Sequence, residues 1–104
     1  MMYEVEKVLL DAKPEVRVGD KVYLVDNRMS TFVKMNRELA EAKTELSEFD
    51  IILECGLGRE AAGEIGTMDL SFAAMQRIVL LVMAAMQGVS EEEAMRRFRT
   101  NEEK

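Results

Sequence analysis

The stretch Asp69-Leu70-Ser71-Phe72-Ala73-Ala74-Met75-Gln76-Arg77-Ile78-Val79-Leu80-Leu81-Val82-Met83-Ala84-Ala85-Met86-Gln87 decides the architecture of this chain. Phe72, Met75, Ile78, Val79, Val82, Met83 and Met86 recur three or four residues apart and form one helical stripe. Ala73, Ala74, Leu80, Leu81, Ala84 and Ala85 cover most of the remaining surface, and only Gln76 and Arg77 interrupt it. A helix apolar nearly all round either lies at the centre of a fold or keeps a second face for a partner. Its unbroken apolar run, Ile78 to Met86, is about half the length that a bilayer-spanning helix needs. The segment is therefore predicted to be the middle of a bundle, stopped by Gly88.

Upstream of it, Arg59 to Ile65 reads as a short helix closing at Gly66, with Ala62 and Ile65 inward. Ser47 to Cys55 reads as another, capped by Ser47 and ended by Gly56-Leu57-Gly58, with Phe49, Ile52 and Leu53 inward. From Met29 to Leu46 the apolar positions Met29, Phe32, Met35, Leu39, Ala42 and Leu46 predict an amphipathic helix with Asp26-Asn27 at its N-cap. Further toward the N-terminus, Glu15-Val16-Arg17-Val18, the turn signal Gly19-Asp20 and Lys21-Val22-Tyr23-Leu24-Val25 predict a β-hairpin with Pro14 at its outer boundary. Residues 3–10 fit either a third strand or a helical turn.

Downstream, Ser90-Glu91-Glu92-Glu93 is a capping box, with Val89 and Ala94 as a weak staple. The helix it opens runs from acidic residues to Arg96, Arg97 and Arg99, in keeping with the macrodipole, and Met95 and Phe98 are its core contacts. The fold class is thus mainly α: a small bundle of four to five helices with a short N-terminal β-hairpin. Residues 1–25 form the hairpin element of that single domain, 26–99 its helical part, and 100–104 a frayed tail.

The bulk composition restricts function. The chain has 104 residues, 48% of them apolar and 33% charged, which suits one globular domain. A net charge of −6 argues against nucleic acid as the main partner, because binding leans on neutralising phosphates. Met1 to Val8 carries Glu4, Glu6 and Lys7 and lacks the apolar core of a signal peptide, so the expectation is a soluble cytoplasmic protein without a membrane partner. With a single cysteine there is no disulfide framework.

The chain contains no histidine, so Cys55 lacks the usual base and reads as a structural thiol, and the usual zinc and iron sites are not expected. Gly56-Leu57-Gly58 with Gly63 behind it fails the dinucleotide fingerprint, because Ala61 holds the third glycine position. Glu91 to Glu93 are accounted for by a helix start, and Glu102-Glu103 by a solvated tail. No catalytic residue, metal ligand or cofactor is therefore expected.

Methionine is more telling. There are nine, and Met75, Met83, Met86 and Met95 fall in the last two predicted helices. Methionine adapts to irregular partners as readily as it fills core gaps. Met83, Met86, Met95 and Phe98 are the candidate partner-binding surface.

Asp26-Asn27-Arg28-Met29-Ser30-Thr31-Phe32, then Asp50-Ile51-Ile52-Leu53-Glu54-Cys55-Gly56-Leu57-Gly58-Arg59-Glu60-Ala61-Ala62, then Met68-Asp69-Leu70-Ser71-Phe72, then Met83-Ala84-Ala85-Met86-Gln87-Gly88 and an acidic helix ending Arg96-Arg97-Phe98 succeed one another along residues 20–99. In this order of elements and apolar pattern the chain resembles the tail assembly chaperones of long-tailed phages and prophages of Gram-positive bacteria. The resemblance rests on element order more than on an invariant motif. It implies a mainly helical protein of the host cytoplasm that coats the tape measure protein, keeps its apolar helices from aggregating and recruits tail tube subunits. It also implies absence from the finished particle, and it offers no catalytic residue to carry over.

Self-association into a homo-oligomer is a further expectation, since the spare apolar face must be covered. The alternative is a small helical DNA-binding transcription regulator, with the turns from Gly56 to Gly66 joining a helix-turn-helix. Its recognition helix would have to be basic and exposed, and residues 69–87 are neither. An enzyme using carboxylates alone ranks below both.

Overall fold

Gly19 takes a left-handed φ of 63° and, with Asp20, turns β1 (Glu15–Val18) into β2 (Lys21–Leu24). The strands pair antiparallel in the register Val16 to Tyr23 and Val18 to Lys21. One face of this hairpin therefore carries Val16 and Tyr23 into the core, while Val22 and Leu24 on the other stay exposed. The computed structural model describes residues 1–6 and 13–102, with side chains through residue 96. Residues 1–6 have no regular secondary structure; the rest of the segment expected as a strand or helical turn lies outside the described residues.

Five helices follow: α1 (Met29–Glu41), α2 (Glu45–Leu57), α3 (Arg59–Gly66), α4 (Phe72–Gln87) and α5 (Glu91–Glu102). This is a mainly helical bundle with an N-terminal two-stranded hairpin, as the sequence pattern predicts. The central segment forms as expected. Ser71 Oγ accepts from the Ala74 N–H at 3.2 Å, and Gly88 ends the helix in the left-handed conformation, with Val89 N–H donating to Ala84 O at 3.1 Å. Helix α4 packs on α2, α5 and β1 and buries Ile78, Val79, Val82, Met83, Ala84 and Met86.

Three boundaries differ from the sequence reading. The amphipathic stretch breaks at Ala42, whose backbone is extended, and Thr44 rather than Ser47 caps the next helix by accepting from the Ser47 N–H at 3.1 Å. Leu46 thereby leaves the inner stripe of α1 for the first turn of α2. At the start of α1, Arg28 is the N-cap residue without a side-chain capping bond, and Asp26 instead accepts from the Arg28 N–H at 3.1 Å, as in an Asx turn. Met29, expected inward, is exposed because it overhangs the first turn; Phe32, Met35 and Leu39 make the inner face. Lastly, α5 runs on to Glu102, past the expected end near residue 99, since no glycine or proline follows Gly88 to stop it.

Gly56 has a larger role than helix termination. It lies inside α2, and Gly58, at φ 94°, makes the turn into α3. A Cβ on Gly56 would fall 2.4 Å from Val82 Cγ1 and 3.2 Å from Met86 Sδ. Seven residues earlier, Phe49 meets Phe72 with ring centroids 5.6 Å apart. The starts of α2 and α4 are thus together and so are their later turns: the two central helices run parallel, joined by α3.

The hairpin is fastened to this pair at the same place. Asp26 N–H donates to Gly56 O at 2.8 Å, and Val25 N–H to Pro14 O at 2.9 Å. Lys21 pairs with Glu64 of α3, and its ammonium lies 5.4 Å from the centroid of the Tyr23 ring. Tyr23 is buried, and its hydroxyl has no hydrogen-bond partner among the described residues.

Two substitutions test these contacts. Gly56→Ala should lower stability by about 1–2 kcal/mol, because overpacking costs about 1–3 kcal/mol and the better helix propensity of alanine returns only about 1. Thermal melts should show a midpoint lowered by several degrees, and Val82→Ala should cost less in the Gly56→Ala background than in the parent. Tyr23→Phe removes the unpaired hydroxyl and should leave the midpoint unchanged or raise it, by up to about 1 kcal/mol; a clear loss would mean that the hydroxyl has a partner.

Candidate functional site

The methionines singled out by composition do not share one surface. Met83 is 8% exposed and Met86 6%, both packed in the core around α4, and Met86 lies against Gly56. Met95 on α5 is 41% exposed. The Phe98 side chain lies outside the described residues. Two of the four candidates are therefore core side chains, and Met86 is covered where α2 approaches α4 over Gly56.

Uncovered apolar side chains lie elsewhere, among them Val22 and Leu24 on the hairpin, Met29 and Val33 on α1, and Leu46, Met68 and Phe72. Leu46 continues the inward stripe of α2, one turn ahead of the buried Phe49, yet is 64% exposed. Phe72 opens the stripe of α4, stacks obliquely on Phe49 and is 53% exposed. Met68, in the turn between α3 and α4, is also exposed. Parallel packing puts the starts of α2 and α4 at one end of the bundle, and α3 delivers the chain to that end. The core stripes of two helices thus reach solvent together. Isolated exposed apolar side chains are ordinary, and several at one place are the feature from which a docking surface is argued. Sequence reading missed Leu46 and Phe72 because it placed both inside; the Thr44 cap is the signal that relocates Leu46.

Carboxylates border this end. Glu41 closes α1, Glu45 opens α2, and Asp69, at a left-handed φ of 53°, precedes α4; all three are exposed. They make no ion pair among the described residues. Four other acids are engaged: Asp26 with Arg28 at 2.8 Å, Glu91 with Arg77 at 2.8 Å, Glu93 with Arg96 at 3.0 Å, and Glu64 with Lys21.

A second feature is polar. An open cleft of about 330 Å³ between the start of α1 and the end of α2 is lined by Asp26, Arg28, Ser30, Thr31, Lys34 and Cys55. Its charges are largely satisfied internally. Asp26 accepts from Arg28 Nε at 3.0 Å, from Arg28 Nη2 at 2.8 Å and from Thr31 Oγ1 at 2.8 Å, and the Arg28 hydrogen bond holds its carboxyl well below the usual carboxylate range. Cys55 is partly buried and its Sγ donates to Glu38 Oε2 at 3.4 Å. Desolvation, then the Glu38 carboxylate, pushes the thiol up to about 11. It is therefore neutral near pH 7, the opposite of an activated nucleophile. No cluster of three or more His, Cys, Asp or Glu suited to a metal occurs among the described residues.

Comparison of the chain with protein-family models, with curated proteins and with solved structures finds no match. No helix among the described residues is long and apolar enough to cross a membrane.

The thiol gives a pH test. Its folded pKa lies above the ordinary value of 9.0, so the stability it contributes is complete below about pH 9 and is lost as pH rises toward about 11. Iodoacetamide should alkylate Cys55 of the native protein more slowly at pH 8 than it alkylates a free thiol, with the rate still climbing above pH 10. Cys55→Ala should flatten the alkaline decline in stability. A native thiol as reactive at pH 8 as free cysteine would contradict this environment.

Proposed function

We propose that this protein is an assembly chaperone of the phage-tail type, which binds the tape measure protein in the host cytoplasm and recruits tail tube subunits. It acts by binding rather than by catalysis, and it is left out of the finished particle. The observation that carries this reading is the end of the bundle where Leu46 and Phe72 stand uncovered on stripes that are otherwise core. A tape measure protein is long and rich in apolar helices, and such a helix would complete both stripes. Burying each of these side chains would contribute roughly 1.5–3 kcal/mol. The segments from Asp26 to Phe98 that resemble tail assembly chaperones supply the biological setting.

Co-expression decides the matter. Produced together with the tape measure protein of the same phage or prophage, this chain should keep it soluble and co-elute with it, whereas the tape measure protein alone should precipitate. A tape measure protein that stays insoluble in its presence, with no co-elution, would overturn the assignment.

A further inference from the structure

We propose that α5 is a lid on α4: it lifts away as a unit about Gly88, while the hairpin and α1–α4 stay packed, and bares a second apolar face of α4 at Leu80 and Ala84. The proposal goes beyond the chaperone reading and does not depend on it.

The two faces of α4 place the lid. Val82 and Met86 belong to the stripe that meets α2 over Gly56, and Val16 of β1 joins the same core cluster. Arg77, Leu80 and Ala84 recur three and four residues apart and so share another side of the helix. Ala84, two residues from both Val82 and Met86, lies about 160° around the helix from each. It is buried, yet it stands outside the main core cluster. Helix α5 is what covers this side: Arg77 pairs with Glu91 at the start of α5 at 2.8 Å, and Ala94, three residues on, is buried.

The cover is held by little. Among the described side chains of α5, Ala94 is the one that is buried, Met95 is exposed, and none joins the core cluster. Helices α1 and α3 also pack chiefly on one other helix, but Met35 and Ile65, both fully buried, pin them to the core. The ion pair from Arg77 to Glu91 is exposed on both sides, where such pairs contribute little. Gly88, at a left-handed φ of 69°, and the two residues after it make the whole connection to α5. A segment with so little buried apolar contact opens below the free energy of global unfolding. Once released, a helix of 12 residues is too short to hold itself in water, so its amides exchange with solvent.

Two neighbouring positions on α4 test this in the full chain, in a Cys55→Ala background. Ala84→Cys places a thiol under the lid and Met83→Cys places one in the core; alkylation of each by iodoacetamide is scaled to its rate in the denatured chain. The thiol at position 84 should react at least about a hundredfold faster than the thiol at 83, since it needs only the lid to open. Met83→Cys also loosens the core, which can only narrow that difference. Denaturant should accelerate the reaction at 84 less steeply, because lid opening exposes less surface than global unfolding. Ala94→Glu, which puts a charge into the contact, should speed alkylation at 84 by about tenfold or more and leave 83 unchanged. Glu91→Arg, at an exposed position, should speed it about two- to fivefold. In the parent, amide exchange at Met95 and Arg96 should outpace exchange at Val82 and Met83. Equal reaction at 83 and 84 would overturn the proposal: fast at both means that the end of α4 frays, and slow at both means that α5 leaves only on global unfolding. Loss of the cooperative melt in Ala94→Glu would also overturn it, since α5 would then be part of the core.

Discussion

The close approach of α2 and α4 over Gly56 is the constraint on which the remaining structure depends. With only a hydrogen where other residues carry a side chain, Gly56 lets Val82 and Met86 press against the α2 backbone. The Gly56 carbonyl also receives the Asp26 N–H, so the hairpin is tied down where the helices meet. A helix contact and a hairpin anchor thus share one residue. Interiors packed at crystal-like density tolerate little displacement at such a point.

From that contact the exposed apolar end follows. Parallel packing, fixed at Gly56 against Val82 and at Phe49 against Phe72, places the beginnings of both central helices at one end. Neighbouring elements cover the stripes along most of their length but leave Leu46 and Phe72 open. A closed core and an unfinished end are therefore consequences of one arrangement. The polar cleft at the start of α1 has a different character: Asp26, Arg28 and Thr31 satisfy one another, and the Cys55 thiol is held neutral beside Glu38.

Much of this was legible in the sequence, where the signals are local. The stripe from Phe72 to Met86, the Ser71 cap and the Gly88 stop all lie within one segment, so α4 could be read directly. The hairpin was equally plain from Gly19-Asp20 between β-rich runs. What could not be read depended on partners distant in sequence. Gly56 looked like a terminator because Val82 is far along the chain. Residues 29–46 form helix readily throughout, so the break at Ala42 and the Thr44 cap left little trace in the pattern. Periodicity marks a stripe as apolar without saying whether anything covers it, so Met83 and Met86 were assigned to a surface while Leu46 and Phe72 were assigned to the core.

The parallel arrangement of α2 and α4 is the central claim, and nuclear Overhauser contacts in the isotope-labelled protein test it most directly. The Gly56 α-protons should show cross-peaks to the Val82 methyl groups and to the Met86 side chain, and the Phe49 ring should show them to the Phe72 ring. Cross-peaks from Phe49 to Met86, with none between Gly56 and Val82, would mean that the helices run antiparallel and would contradict the account.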